Sequence, residues 1–129
     1  MKIEHVAMWV RDLERIKSFY VNYFQATAGK KYFNPSKNFE SYFLTFDDGC
    51  RLELMRKPDI RDQRSNTHEQ LTGLTHLAIS VGSKDDVDRM TDLLRGDGME
   101  IISEPRTTGD GYYESAVLDP EGNRIEITI

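Results

Sequence analysis

Residues 3–10 read IEHVAMWV, and their side chains sort into two sets at period two. Val6, Met8 and Val10 form one set; Ile3, His5, Ala7 and Trp9 form the other. That alternation predicts a half-buried strand. Directly afterwards the period lengthens. In RDLERIKSFYVNYF, Leu13, Ile16, Tyr20 and Tyr23 recur at helical spacing behind Asp12, a residue suited to cap a helix N-terminus. Short strands are predicted next over residues 31–33 and 42–46. A turn at Asp47, Asp48 and Gly49 then opens a last strand, GCRLELM, in which Leu52 and Leu54 alternate with Arg51, Glu53 and Met55.

The pattern then starts again. Residues 74–81 read LTHLAISV, with histidine, an apolar residue and alanine in the places they hold in the first strand. The stretch SKDDVDRMTDLLRGDG follows as a helix. Ser83 caps it, acidic residues fill its first turn, and Val87, Met90, Leu93 and Leu94 make its apolar stripe. Gly96 and Gly98 end it. Strands are expected over 100–103 and 112–118, and DPEGN turns into the final strand RIEIT. His5 and His76 stand 71 positions apart; Gly49 and Gly122, and Glu53 and Glu126, stand 73 apart. Each half therefore reads βαβββ. The prediction is an α+β fold of two modules, 1–57 and 74–129, joined by a polar linker over 58–73. Neither module is large enough to bury a core alone, so one domain over 1–129 is expected.

The alternation also sorts the chemistry. If the aliphatic sets (Val6, Met8 and Val10; Leu52 and Leu54; Leu77, Ile79 and Val81; Ile125, Ile127 and Ile129) lie under the helices, then His5, Glu53, His76 and Glu126 all lie on the opposite face. Twist makes that face concave. A lone glutamate in an amphipathic strand ordinarily faces water, and a lone histidine there is ordinarily structural. Two modules that each place one histidine on the opening strand and one glutamate on the closing strand point instead to a divalent-metal ligand set. Neutral nitrogen and anionic oxygen suit Zn²⁺ or Ni²⁺ first, and also Co²⁺, Mn²⁺ or Fe²⁺. Trp9, Met55, Ser80 and Thr128 share the face and are readable either as lining a substrate pocket or as simple packing.

Composition narrows the function without naming it. The 129 residues are 38% apolar and 30% charged, a globular balance, with a net charge of −5. Acidic and basic residues are interleaved and no basic block occurs, so neither a nucleic-acid partner nor a membrane-surface helix is expected. The single cysteine, Cys50, excludes an intrachain disulfide and fits a reducing compartment. No signal peptide or membrane-length apolar run is read, so a cytoplasmic protein is expected. Cys50 has no recognisable partner, and His68 lies in the polar linker. The glycine-rich stretch TTGDGYYE is readable either as a mobile loop over a pocket or as a hairpin turn.

The opening IEHVAMWVRDLERIKSFYVNYF, the restart LTHLAISV and the close DPEGNRIEI resemble the vicinal oxygen chelate superfamily, which includes glyoxalase I, extradiol dioxygenases and bleomycin resistance proteins. The resemblance covers nearly the whole chain. It implies paired βαβββ modules forming a U-shaped, partly open barrel around a metal. The glyoxalase I ligand pattern falls on His5, Glu53, His76 and Glu126. It implies a metal-dependent lyase or isomerase acting through an enediolate on a small α-hydroxycarbonyl or thiol-adduct substrate. Glu126 is the first choice as catalytic base and Glu53 the second. Trp9 stands where glyoxalase I typically has an arginine, and Lys57 where it often has an asparagine, which points away from glutathione. A non-haem Fe or Mn dioxygenase and a drug-sequestering binding protein are the alternatives. Family members are usually homodimers, so a homodimer is expected.

Overall fold

In the computed structural model the described residues are 1–61, 68–70 and 72–129. They form two compact units, Met1–Gln63 and Arg64–Ile129. The predicted linker over 58–73 contains residues 62–67 and 71, which lie outside the described residues.

The first unit contains β1 (His5–Trp9), α1 (Leu13–Phe24), β2 (Thr27–Ala28), β3 (Tyr32–Asn34), β4 (Phe39–Thr45) and β5 (Arg51–Arg56). Its sheet runs β1-β5-β4-β2, with β3 also paired to β4. The helical crossover brings β1 parallel to β5, while β4 runs antiparallel to it. The second unit contains β6 (Leu77–Ser80), α2 (Lys84–Gly96), β7 (Ile101–Thr107), β8 (Tyr113–Leu118) and β9 (Arg124–Thr128). Its sheet runs β6-β9-β8-β7, again with the first and last strands parallel. Two helices and two mixed sheets give the α+β class that the pattern predicts. Among the described residues neither sheet closes on itself into a barrel.

The helices form for the reasons legible in their ends. Asp12 and Ser83 both have extended backbone, and their side chains accept the N–H of Arg15 and Asp86. Under α1 lie Leu44, Leu52 and Leu54, meeting Leu13, Ile16 and Tyr20. Under α2 lie Val117, Ile125 and Ile127, meeting Val87 and Leu94. Each fully buried side chain of this size contributes about 1.5–3 kcal/mol. Gly49 (φ 91°) and Gly122 (φ 81°) take the left-handed conformation in the turns that lead into β5 and β9. A side chain is strained there, so both repeated glycines set where the closing strand begins.

The structure corrects two helix placements and decides between the two readings of TTGDGYYE. In α1, Phe19 and Phe24 are buried, whereas Tyr23 is only half-buried. In α2, Thr91 takes the core place assigned to Leu93, which is exposed. The Thr91 hydroxyl is satisfied there by Val87 O at 2.7 Å and Ser115 Oγ at 2.6 Å. The TTGDGYYE stretch is a hairpin turn between β7 and β8. Thr108 N donates to Tyr112 O at 2.8 Å, Gly111 has φ 96°, and the Tyr113 hydroxyl is bound to Asp88. Among the described residues no helix is long and apolar enough to cross a membrane.

Candidate functional site

Burial along the strands shows which face each helix covers. In β1, Val6 and Met8 are half-buried while His5, Ala7 and Trp9 are exposed; in β5, Leu52 and Leu54 are buried while Arg51, Glu53 and Met55 are not. The face away from α1 therefore carries His5, Trp9, Glu53 and Met55. Ala7 pairs with Glu53 and Trp9 with Met55. His5, two residues before Ala7, is the diagonal neighbour of Glu53, and its Nε2 lies 3.9 Å from Glu53 Oε2.

The second unit repeats this register. Ala78 pairs with Glu126, and Ser80 pairs with Thr128. His76 precedes Ala78 by the same two positions, and its Nε2 lies 3.1 Å from Glu126 Oε2. His76 stands just ahead of β6, whereas His5 begins β1. The side chains are partly accessible: 39% for His5 and 15% for Glu53, 33% for His76 and 23% for Glu126. Each pair can thus be reached from solvent yet is held by a sheet. Within each unit the donors stand as a pair. Among the described residues no three or more His, Cys, Asp or Glu side chains are arranged to hold an ion.

Around the first pair lie residues that the sequence reading did not single out. Phe43 pairs with Glu53 on β4, and its ring meets the His5 ring edge-on at 5.4 Å. The Arg51 guanidinium lies 4.0 Å from the Phe43 centroid and also binds Glu4, whose carboxylate in turn contacts His5 Nδ1. The bonds to His5 and Arg51 hold the Glu4 carboxyl below its usual range. His5 is thereby fixed through one ring nitrogen while the other faces Glu53. In the second unit Ala116 occupies the place facing Glu126 that Phe43 occupies facing Glu53. Glu114, paired with Thr128, lies 3.6 Å from Arg106 on the neighbouring strand. The alternation in FESYFLT and YESAVL carried the signal for Phe43 and Glu114, once β4 and β8 are paired with their closing strands.

A cavity of about 620 Å³ opens in the first unit. Trp9, Phe39, Lys37, Lys57, Pro58 and Ile60 line it. His5 and Glu53 do not. Trp9 is four residues along the same strand face, which places it about 13 Å from His5. The remaining singled-out residues are peripheral. His68 is exposed and pairs with Glu100 at 3.0 Å, and Cys50 is a half-buried free thiol.

Known proteins resemble this chain over nearly its whole length. The Bacillus subtilis protein YqjT, itself described as uncharacterized, is 26% identical over 97% of this chain and 96% of its own length. A glyoxalase family protein from Enterococcus faecalis superposes with a TM-score of 0.78 at 24% identity, covering 99% of this chain and 97% of that one. Glyoxalase I from Zea mays superposes with a TM-score of 0.78 at 24% identity, and this chain spans 44% of its length. These structural likenesses establish the fold. The profile of the Glyoxalase/Bleomycin resistance protein/Dioxygenase superfamily matches residues 2–127, and the chain belongs to that superfamily.

Proposed function

We propose that this chain is a metal-dependent lyase or isomerase of the glyoxalase type. Its substrate is a small α-hydroxycarbonyl compound or thiol adduct. The observation that carries the reading is the repeated register: each unit sets one imidazole beside one carboxylate on the face its helix leaves uncovered. A neutral ring nitrogen and an anionic oxygen, 3.1–3.9 Å apart and partly accessible, form the donor chemistry of half a divalent-metal site. His5, Glu53, His76 and Glu126 would hold the ion, drawn from one chain or from two copies in a homodimer. Zn²⁺ or Ni²⁺ suits this set first, then Co²⁺, Mn²⁺ or Fe²⁺.

When bound, the ion supplies Lewis-acid polarisation of a substrate carbonyl oxygen. The chain supplies the rest. Glu126 takes the proton from the carbon beside that carbonyl and returns it on the neighbouring position; Glu53 is the second candidate for the same work. Glu4 orients His5 through Nδ1, leaving Nε2 for coordination. Met55 and Thr128, two residues beyond the glutamates, and Trp9 and Ser80, four beyond the histidines, share the donors' faces and orient the substrate. The half-open faces suit a small molecule, and a cytoplasmic setting fits the single free thiol.

The test is solvent exchange. Metal-loaded protein in D₂O is offered hemithioacetals and coenzyme A esters, and deuterium is followed at the carbon beside the carbonyl. Enzyme-dependent exchange, lost on chelation and in Glu126→Gln, is expected. Exchange that survives both, or none with any of the five metals, refutes the reading.

A further inference from the structure

The cavity beside Trp9 has features that the metal chemistry does not require. We propose that it is a subsite for a planar aryl group bearing a single carboxylate, the distal part of the substrate. In turnover this rests on the function proposed above; as binding it stands alone.

Four observations point to that ligand. First, the cavity, at about 620 Å³, is of the size that small-molecule sites occupy. Second, Trp9 is 42% exposed on a strand face, and its counterpart in the second unit, in the same register, is Ser80. The fold therefore does not need an indole at this place, and leaving it half in water forgoes burial free energy. Third, the neighbouring rings are fixed around it. Phe39 meets Trp9 at 6.0 Å and 88°, and Tyr32 meets Phe39 at 6.0 Å. Phe39 thus does not lie flat on the indole, and a second flat ring can stack there. Fourth, the rim is cationic. Lys57 pairs with Asp59 at 2.8 Å, while among the described residues Lys37 makes no ion pair. Two ammonium groups against one carboxylate leave one positive charge, which matches a monoanion. Trp9 lies about 13 Å from His5 along the strand and pairs with Met55, two residues beyond Glu53, so the group bound here extends along the sheet away from His5. Binding energy at such a distance is available for orienting the reacting end.

Trp9 is the only tryptophan in the chain, so its indole N–H gives one resolved NMR signal. Metal-free full-length protein is titrated with 2-naphthoate and, separately, with neutral 2-naphthylmethanol. Naphthoate should shift the indole signal and bind about five- to tenfold more tightly than the alcohol at low salt. Lys37→Gln/Lys57→Gln should erase that preference while keeping alcohol binding. Trp9→Leu, followed by naphthoate fluorescence, should weaken both ligands. Equal affinity for the two probes, no indole shift at millimolar ligand, or unchanged binding in Trp9→Leu overturns the proposal. Glu53→Gln and Glu126→Gln should retain naphthoate binding. Loss of exchange activity with naphthoate binding intact therefore counts against the metal reading alone. The converse counts against this subsite alone.

Discussion

Asp119 opens the DPEGN turn that delivers β9, and with it Glu126, to the sheet. Its residue is 3% exposed. Its Oδ1 accepts the backbone N–H of Glu121 at 2.9 Å and of Asn123 at 2.8 Å; its Oδ2 accepts the Asn123 side-chain N–H at 2.7 Å. Burial pushes its carboxyl up from the ordinary aspartate value, against the lowering effect of the bonds from Asn123 and Glu121. Asp119→Ala removes these three bonds. At about 1 kcal/mol net each, and with part of the desolvation cost recovered, the expected loss is about 2 kcal/mol. Asp119→Asn keeps the two bonds to Oδ1 and sets one amide against another, so about 1 kcal/mol is expected. The pH dependence separates charge from bonding. A carboxyl raised in the folded state keeps a proton that the unfolded chain releases, so its contribution is greatest below the unfolded value. It declines as pH rises from the ordinary 3.8 through the raised folded value. Asp119→Asn lacks that decline and should be less destabilised, relative to wild type, at pH 7 than at pH 3. Urea unfolding followed by circular dichroism across that range measures both quantities, provided the slope m is unchanged. A loss below 0.5 kcal/mol (about a third of the smallest charged bond) in Asp119→Ala would refute the turn's role. A pH-independent difference for Asp119→Asn would refute the burial argument.

Three other outcomes are expected. Glu4→Ala should weaken metal binding about 10- to 100-fold, read by chelator competition, because His5 loses the partner at Nδ1; unchanged affinity would mean that the contact is incidental. Thr91→Val leaves the Ser115 hydroxyl buried without its partner and should cost about 1–3 kcal/mol in urea unfolding. Adding Ser115→Ala should recover part of that loss, and simple additivity of the two changes would contradict the pairing. Glu14 is held down to about 2, first by Lys17 and then by Lys31 and Tyr42, against burial that raises it. Its contribution is present above the ordinary value of 4.5 and lost as pH falls toward about 2. The side chain is exposed, so the effect should be small and vanish in high salt. An acid-unfolding curve for Glu14→Gln that differs from wild type equally at high and low salt would contradict this.

Much of the site was legible because strand alternation is strict. Once Leu52 and Leu54 are placed under α1, Glu53 has only the other face to occupy, and the same holds for Glu126 between Ile125 and Ile127. The offset of two in spacing between the halves, 71 at the histidines and 73 at the glutamates, was absorbed before the closing turns, so the cross-strand register still matched. What the sequence concealed was non-local. Phe43 reaches His5 only because β4 pairs antiparallel to β5, and Arg51 reaches Glu4 only because β5 lies beside β1. The helix error has a simpler cause. At about 100° per residue, Leu93 falls about 120° from Val87 around α2, whereas Thr91 falls about 40° away. Leucine is the more apolar residue, but the helix angle favours the threonine, whose hydroxyl Ser115 and Val87 O satisfy. The cavity was hidden for a related reason: Trp9 and Lys57 were visible as departures from glyoxalase I. Lys37 and Phe39 join them only once the β3–β4 hairpin is folded.

The central claim is that the two histidine–glutamate pairs serve one ion. Elemental analysis of tag-free wild-type protein beside Glu53→Gln and Glu126→Gln tests it most directly. The account predicts about one transition-metal ion per chain, with the content falling in both variants because each unit supplies half of the ligands. No ion after incubation with Zn²⁺, Ni²⁺, Co²⁺, Mn²⁺ and Fe²⁺ would contradict it. So would an ion lost in one variant and fully retained in the other.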